Sequence, residues 1–313
     1  MTRLLPNTIL LLLLCVGPVL AQQVPDYDFD PQITDPLYPS QKGPTVVIDQ
    51  AHHNFHRIDG RYNAFAKVLS RDGFDVKPGT EPFSKQSLAG VKILVIANAL
   101  HASNETQWSK PTPSAFTPEE ILAVAEWVRE GGSLFLISDH MPMPGANETL
   151  AAAFGFKFYN GFASDTTAGL YPGAKRELDV FKKSNKTLAV HETTTGKKQN
   201  ETIEEVATFT GQGFEVPKEA VSLLTFDDKY KILLPDTAWK FHQNTPRIAI
   251  KGFSQGAVRK FHKGRVAVFG EAAMFSSQLK GPEKIPFGLR SQGAENNLRF
   301  LRNLIRWLDD AGN

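Results

Sequence analysis

The chain has 313 residues, 41% of them hydrophobic and 22% charged, with a formal net charge of +2 at pH 7. That apolar fraction lets one large domain, or a domain carrying a sizeable insertion, bury a core. Lysines and arginines are scattered rather than clustered, so the near-neutral balance argues against nucleic acid as a partner.

The N-terminus sets the expected compartment. Arg3 precedes an apolar run, Ile9 to Val16, followed by Val19-Leu20-Ala21, a small-residue cleavage pattern, so residues 1–21 read as a secretory signal peptide. Pro18 and Gln22-Gln23 stop the run well short of the roughly 20 apolar residues of a transmembrane helix, and no transmembrane anchor is expected. The one cysteine, Cys15, lies inside this segment behind Leu14, which is not the small residue of a lipid-attachment signal. Cleavage near Ala21 therefore predicts a secreted or periplasmic chain without internal disulfides. Asn-x-Ser/Thr matches begin at Asn104, Asn147, Asn185 and Asn200 and matter only in a glycosylating host.

Residues 22–44, proline-rich and acidic, read as an extended N-terminal arm. Residues 45–313 read as a single α/β domain. Thr45-Val46-Val47-Ile48 is a short buried strand, and Tyr62, Phe65, Ala66 and Leu69 then recur at helical spacing until Gly73. Lys92 to Ala97 is a second strand. Thr117 as N-cap, Pro118 in the first turn and Glu120 three residues after the cap announce a helix faced by Ile121, Val124, Ala125 and Val128. Gly131-Gly132 closes it, and Leu134 to Ile137 is too apolar to be exposed on either face. Residues 156–263 change texture, with short alternating runs such as Glu205 to Phe209 and Lys231 to Leu234, and read as a β-rich insertion. Phe154, Phe156 and Phe158 alternate as a half-buried strand requires. Arg265 to Phe269 is a further buried strand, and Leu298, Leu301, Ile305 and Leu308 stripe the closing helix, leaving Arg299, Arg302 and Arg306 on a solvated face. This alternation predicts a doubly wound, mostly parallel sheet.

Open α/β sheets bind ligands at the carboxyl ends of their strands. The four exits read Asp49 to His56, Asn98 to His101, Ser138-Asp139-His140 and Gly270-Glu271, and five of the eight histidines fall there. Trp108 and the Lys110 to Pro113 stretch follow the second exit as a surface loop able to serve as a lid. Met141, Met143 and Met274 near the same edge read as gap-fillers. Imidazoles and carboxylates drawn from several loops are the donors a divalent metal takes, with His52 and His140 the expected ligands. The bland alternative is that the aspartates cap loops and the histidines stand exposed. Gly252-Phe253-Ser254-Gln255-Gly256 matches a nucleophile elbow, but only His262 follows it and no acid lies between, so a glycine-framed turn between strands is expected.

Three segments carry a resemblance: Thr45 to Val76, Phe116 to Pro142 ending "WVREGGSLFLISDHMP", and "SQGAVRKFHKGRVAVFGEAAMFSSQ" from Ser254 to Gln278. Together they resemble the class I glutamine amidotransferase-like superfamily, and within it the exported, trehalose-utilisation-protein-like branch. The resemblance implies a flavodoxin-like core with its working edge at the strand exits. Amidotransferases carry a cysteine nucleophile just after the strand that here ends "LFLIS", with a His-x-Glu pair downstream. Ser138 stands at that place and no His-x-Glu follows, so no glutaminase activity is expected. The expected function is a hydrolase-like enzyme acting on a small polar or carbohydrate substrate, metal-assisted if a cation is bound. Asp49, Asp139, His140 and Glu271 are its candidate catalytic residues, and His53, Asn54, Asn98 and His101 its candidate substrate contacts. The alternative is a noncatalytic envelope binding or scaffold protein that keeps the fold.

Overall fold

Strands apolar on both faces belong in the middle of a covered sheet, and that is where the computed structural model has them. It describes residues 23–167, 169 and 178–309. The segment read as a signal peptide lies outside the described residues. Strand β1 (Thr45–Asp49), helix α1 (Asn63–Arg71), β2 (Asp75–Gly79), β3 (Ile93–Ala97), α2 (Pro118–Glu130), β4 (Ser133–Ile137) and α3 (Met143–Ala153) follow in turn. Later come β5 (Val221–Thr225), β6 (Ser254–Phe261), β7 (Gly264–Phe269) and α4 (Asn297–Asp309).

These seven strands form one mixed sheet in the order β2-β1-β3-β4-β7-β6-β5. The first five pair parallel, whereas β6 runs antiparallel to both β7 and β5. Ile137 stands opposite both Ala97 and Phe269, and Ile48 opposite Val95, so the parallel strands end on one rim.

Side chains of a strand alternate between faces, and each face is covered. Ile48, Val95, Phe135, Ile137 and Phe269 pack with Phe65 and Leu69 of α1 and Phe300, Leu304 and Ile305 of α4. Leu94, Ile96, Leu134, Leu136 and Val268 pack with Val124 and Val128 of α2 and Leu150 of α3. Helix α2 begins with the expected capping box: the Thr117 side chain accepts from the Glu120 amide and Glu120 accepts from the Thr117 amide.

Residues 156–263 contribute two kinds of structure. β5 and β6 extend the central sheet. Phe162–Asp165, Tyr230–Leu233 and Arg247–Ala249 make a separate antiparallel sheet, and Asp179–Lys182 pairs with Glu205–Thr208. Ser254 opens β6 after a turn in which Gly252 has φ +85°, and its buried hydroxyl donates to the carbonyls of Gly256 and Leu224. That is a turn between strands, with no helix behind the serine.

Two local expectations change. Phe154, Phe156 and Phe158 are all buried, but Phe154 ends α3 and only Lys157 bridges to Glu215, so they make no strand of their own. Arg302 and Arg306 do not lie on a solvated face. The arm crosses there: Gln23–Pro25 pairs antiparallel with Ser277–Lys280, Phe29 packs into the core, and Arg302 donates to Asp35 at 3.1 Å and Asp72 at 2.8 Å. Arg306 donates to Glu201 at 2.8 Å. Gly73, with φ +96°, admits the arm, because a Cβ there would stand 2.2 Å from the Tyr38 carbonyl oxygen. An amphipathic period cannot distinguish water from an arm of the same chain as cover for a polar stripe.

Candidate functional site

The strand exits meet at the carboxyl rim as two hydrogen-bonded groups joined by Asn98. On the α2 side, Asp49 leaves β1 fully buried. Its Oδ1 accepts from the Ala51 amide at 3.1 Å and its Oδ2 from Asn54 Nδ2 at 2.9 Å. His52 Nδ1 lies 3.0 and 2.9 Å from the two Asp49 oxygens, and its Nε2 lies 2.8 Å from Glu120 Oε1. Facing a carboxylate at each nitrogen, this ring donates twice and is an imidazolium. Burial opposes its charge, but the bonds to Asp49 and Glu120 prevail and raise its pKa. Burial likewise disfavours the Glu120 charge, and the amides of Thr117 and Phe83 together with His52 pull its pKa down. Phe83 and Phe116 close over the imidazole at 4.5 and 4.9 Å between centroids.

On the α1 side, Asn98 is held at φ +54°. Its Oδ1 accepts from the Asp139 amide at 2.8 Å, which leaves its Nδ2 to donate to His56 Nδ1 at 3.0 Å. That assignment fixes the His56 tautomer with its proton on Nε2, a buried atom without a hydrogen-bond partner. Burial, then the charges of Arg61 and His140, hold the His56 pKa well below its ordinary value. Glu271 is also buried. Its two oxygens accept from the amides of Ala273 and Met274 at 2.8 and 2.7 Å, yet burial and then the nearby Asp139 charge push its pKa well up. Tyr62 donates to the Ala272 carbonyl, and its pKa is raised by burial and by the charges of Glu271 and Asp139. Asp139 itself accepts from the His140 amide at 2.8 Å.

Beyond Asp139 the rim becomes aromatic. His140 stacks on Phe162, with centroids 4.6 Å apart and planes at 13°, and meets Trp239 edge-on at 4.7 Å and Trp108 at 5.9 Å. Trp108 also meets Phe55 at 5.1 Å. Hydrogen bonds tie the Trp108 loop to itself and to Ala238. Asn104 Nδ2 donates to the carbonyls of Gln107, Ser109 and Pro111, and Ala238 donates its amide to the Trp108 carbonyl. His140 Nδ1 donates to the Met141 carbonyl at 2.9 Å, and its Nε2 makes no hydrogen bond among the described residues.

Asp49, His52, Asn54, Asn98, Asp139, His140 and Glu271 thus share one rim, although Asp49 and Glu271 belong to its two different sides. His53 and His101 stay outside the buried groups. His53 is 42% exposed and faces Glu105 at 3.1 Å, and His101 caps a short turn by accepting from the Ser103 amide. Glu120, Tyr62, Arg61 and Trp239 join the rim without a sequence signal for it. Glu120 was legible only as a capping residue and Tyr62 only as core, since neither second role is local. Met141, Met143 and Met274 fill the core around the rim. Among the described residues no three His, Cys, Asp or Glu side chains are grouped to hold a metal ion, and both His52 nitrogens are already engaged. A cavity of about 420 Å³ lies beside β2, touching the rim through Phe83, and another of about 250 Å³ lies between the arm and α4. Neither of these two contains Asp139 or His140.

No family model matches the chain, and no curated protein matches it significantly in sequence. Among solved structures, the N-terminal domain of mmIFT52 superposes with a TM-score of 0.59 at 15% identity, covering 86% of this chain and 98% of that one. Cytoplasmic Protein STM3548 from Salmonella typhimurium aligns at 0.49 and 12%, over 85% and 98% of the two chains. A ThuA-like protein from Bacteroides uniformis aligns at 0.46 and 14%, over 87% and 95%. At these identities the likeness concerns the fold alone. The protein is an α/β protein built on a seven-stranded, mostly parallel mixed sheet. No helix among the described residues is long and apolar enough to cross a membrane.

Proposed function

We propose that this is an exported, amidotransferase-like binding protein whose carboxyl rim takes a small polar ligand, a carbohydrate by preference, without glutaminase chemistry. The parallel strand order β2-β1-β3-β4-β7 supports a flavodoxin-like, doubly wound core. Ser138, at the nucleophile position of the amidotransferase pattern, has a buried hydroxyl with no hydrogen-bond partner and hence no base to activate it. Export rests on the Arg3 to Ala21 pattern.

One observation carries the binding reading. Asp49 and Glu271 are committed to internal hydrogen bonds, while His140, Trp108 and Trp239 offer rings beside Asp139, the arrangement that stacks on a sugar face and bonds its hydroxyls. Trp239 is 45% exposed and sits at φ +65°. A left-handed, half-exposed tryptophan costs roughly 1–2 kcal/mol in backbone strain, which ligand contact offsets.

The hydrolase reading keeps one specific support: the Nε2 of His140, without a hydrogen-bond partner among the described residues, stands beside Asp139, near the buried Glu271 carboxyl whose pKa is pushed up. Titrating the chain cleaved after Ala21 with mono- and disaccharides, reading tryptophan fluorescence and products in parallel, separates the two. Saturable quenching without product, lost in Trp239→Ala, is expected. Product whose release stops in both Asp139→Asn and His140→Ala would restore the enzyme.

A further inference from the structure

Among the described residues, Arg61 is a cation without a counter-charge. It is half-buried, and burial alone lowers its pKa. Its Nη2 donates to the Gln23 carbonyl at 2.9 Å, its Nε is buried with no partner, and no carboxylate of the described residues pairs with it. Arg302 and Arg306 of α4, also half-buried, face Asp35, Asp72 and Glu201. A guanidinium taken out of water without an anion is unfavourable unless something else supplies the charge.

Its position says what that is. The Arg61 guanidinium lies over the Phe55 ring at 4.2 Å, and the same ring meets Trp108 at 5.1 Å. One aromatic ring therefore separates the cation from the wall that continues through His140 to Trp239. His56, next along the chain from Phe55, adds a buried Nε2 proton with no acceptor within electrostatic reach of Arg61.

We infer that Arg61 is the anion receptor of this rim, and that the ligand of the aromatic wall carries a carboxylate or phosphate on its ring. The inference deepens the binding reading and rests on the wall being the place where the ring docks. A planar guanidinium offers paired N–H donors to two oxygens, so a charge-assisted contact favours the acidic ligand by about tenfold over its neutral parent.

The test uses the chain cleaved after Ala21 with four probes: glucuronate, glucose 6-phosphate, glucose and inorganic phosphate. Tryptophan fluorescence reads the wall, and the Nε–Hε nuclear magnetic resonance signal of Arg61, assigned by its loss in Arg61→Gln, reads the cation. At least one acidic sugar should bind about tenfold more tightly than glucose, with the preference shrinking as salt rises. Which acidic sugar wins distinguishes carboxylate from phosphate. Arg61→Gln should abolish the preference, and Arg61→Lys should retain part of it, which separates lost charge from a lost tie to Gln23. Equal affinity for acidic and neutral sugars, or a preference that survives Arg61→Gln, overturns the inference. A shift of the Arg61 signal by phosphate with no sugar response supports the anion site and sinks the wall instead. Silence from all four probes sinks both.

Discussion

His52 joins Asp49 at the end of β1 to Glu120 in the first turn of α2, with its Nδ1 2.9 Å from the Asp49 carboxylate and its Nε2 2.8 Å from that of Glu120. A single buried cation therefore holds two buried carboxylates, and it fastens the first strand exit to a helix that starts about seventy residues later in the chain. Such an arrangement is stable only in one protonation state.

That state sets a pH window. The folded pKa of His52 is raised above its ordinary 6.5, so its contribution is complete below that value and is lost as pH climbs through the folded pKa. Glu120 is lowered below its ordinary 4.5, so its contribution is complete above that value and is lost as pH falls through the folded pKa. The stability difference between wild type and His52→Gln, from urea unfolding at a series of pH values, should be flat between these two limits and shrink on both sides. A difference that keeps growing above pH 6.5 would show that the ring is held neutral. His52→Ala, which strands both carboxylates, should lose about 3–5 kcal/mol near pH 6.

Asn98 combines a left-handed backbone with two buried side-chain bonds. Asn98→Gly keeps the backbone and loses the bonds, for a destabilisation of about 2 kcal/mol. Asn98→Ala adds the strain of φ > 0 for a residue with a Cβ and should lose roughly 1 kcal/mol more. Equal losses for the two variants would mean that the backbone relaxes out of the left-handed region, and chemical denaturation reads the difference directly.

Arg302 offers a sharp contrast with the sequence expectation of a solvated face. A surface arginine changes stability by about 0.5 kcal/mol or less when removed. Arg302→Ala should instead cost about 2 kcal/mol, short of a full buried-pair loss because Asp72 keeps Arg306 and the Leu37 amide. It should also speed proteolysis within residues 23–38 by releasing the arm. A melting temperature unchanged from wild type would remove this assignment.

A chelator should leave the melting temperature of the purified chain unchanged, because His52 and its two carboxylates bond one another and no three His, Cys, Asp or Glu side chains of the described residues are grouped to hold a metal ion. A downward shift with chelator, reversed by added zinc or manganese, would require a rearranged rim and would return His140 to the role of ligand.

The sequence alone determined the local order of this protein. Apolar runs, a Thr-Pro-x-Glu start and the glycines after α1 and α2 fix strands and helices because their signals are short-range: side-chain period, orphan amides, positive φ. From that alternation the parallel rim follows, and with it the gathering of Asp49, Asn98, Asp139 and Glu271. Tertiary structure alone decided what those groups do. Glu120 as partner of His52, Tyr62 beside Glu271, the arm over Arg302 and the Trp239 ring against His140 all join segments distant in the chain. Their energies depend on burial and on the absence or presence of an opposite charge a few ångströms away, and neither quantity is written in the spacing of residues.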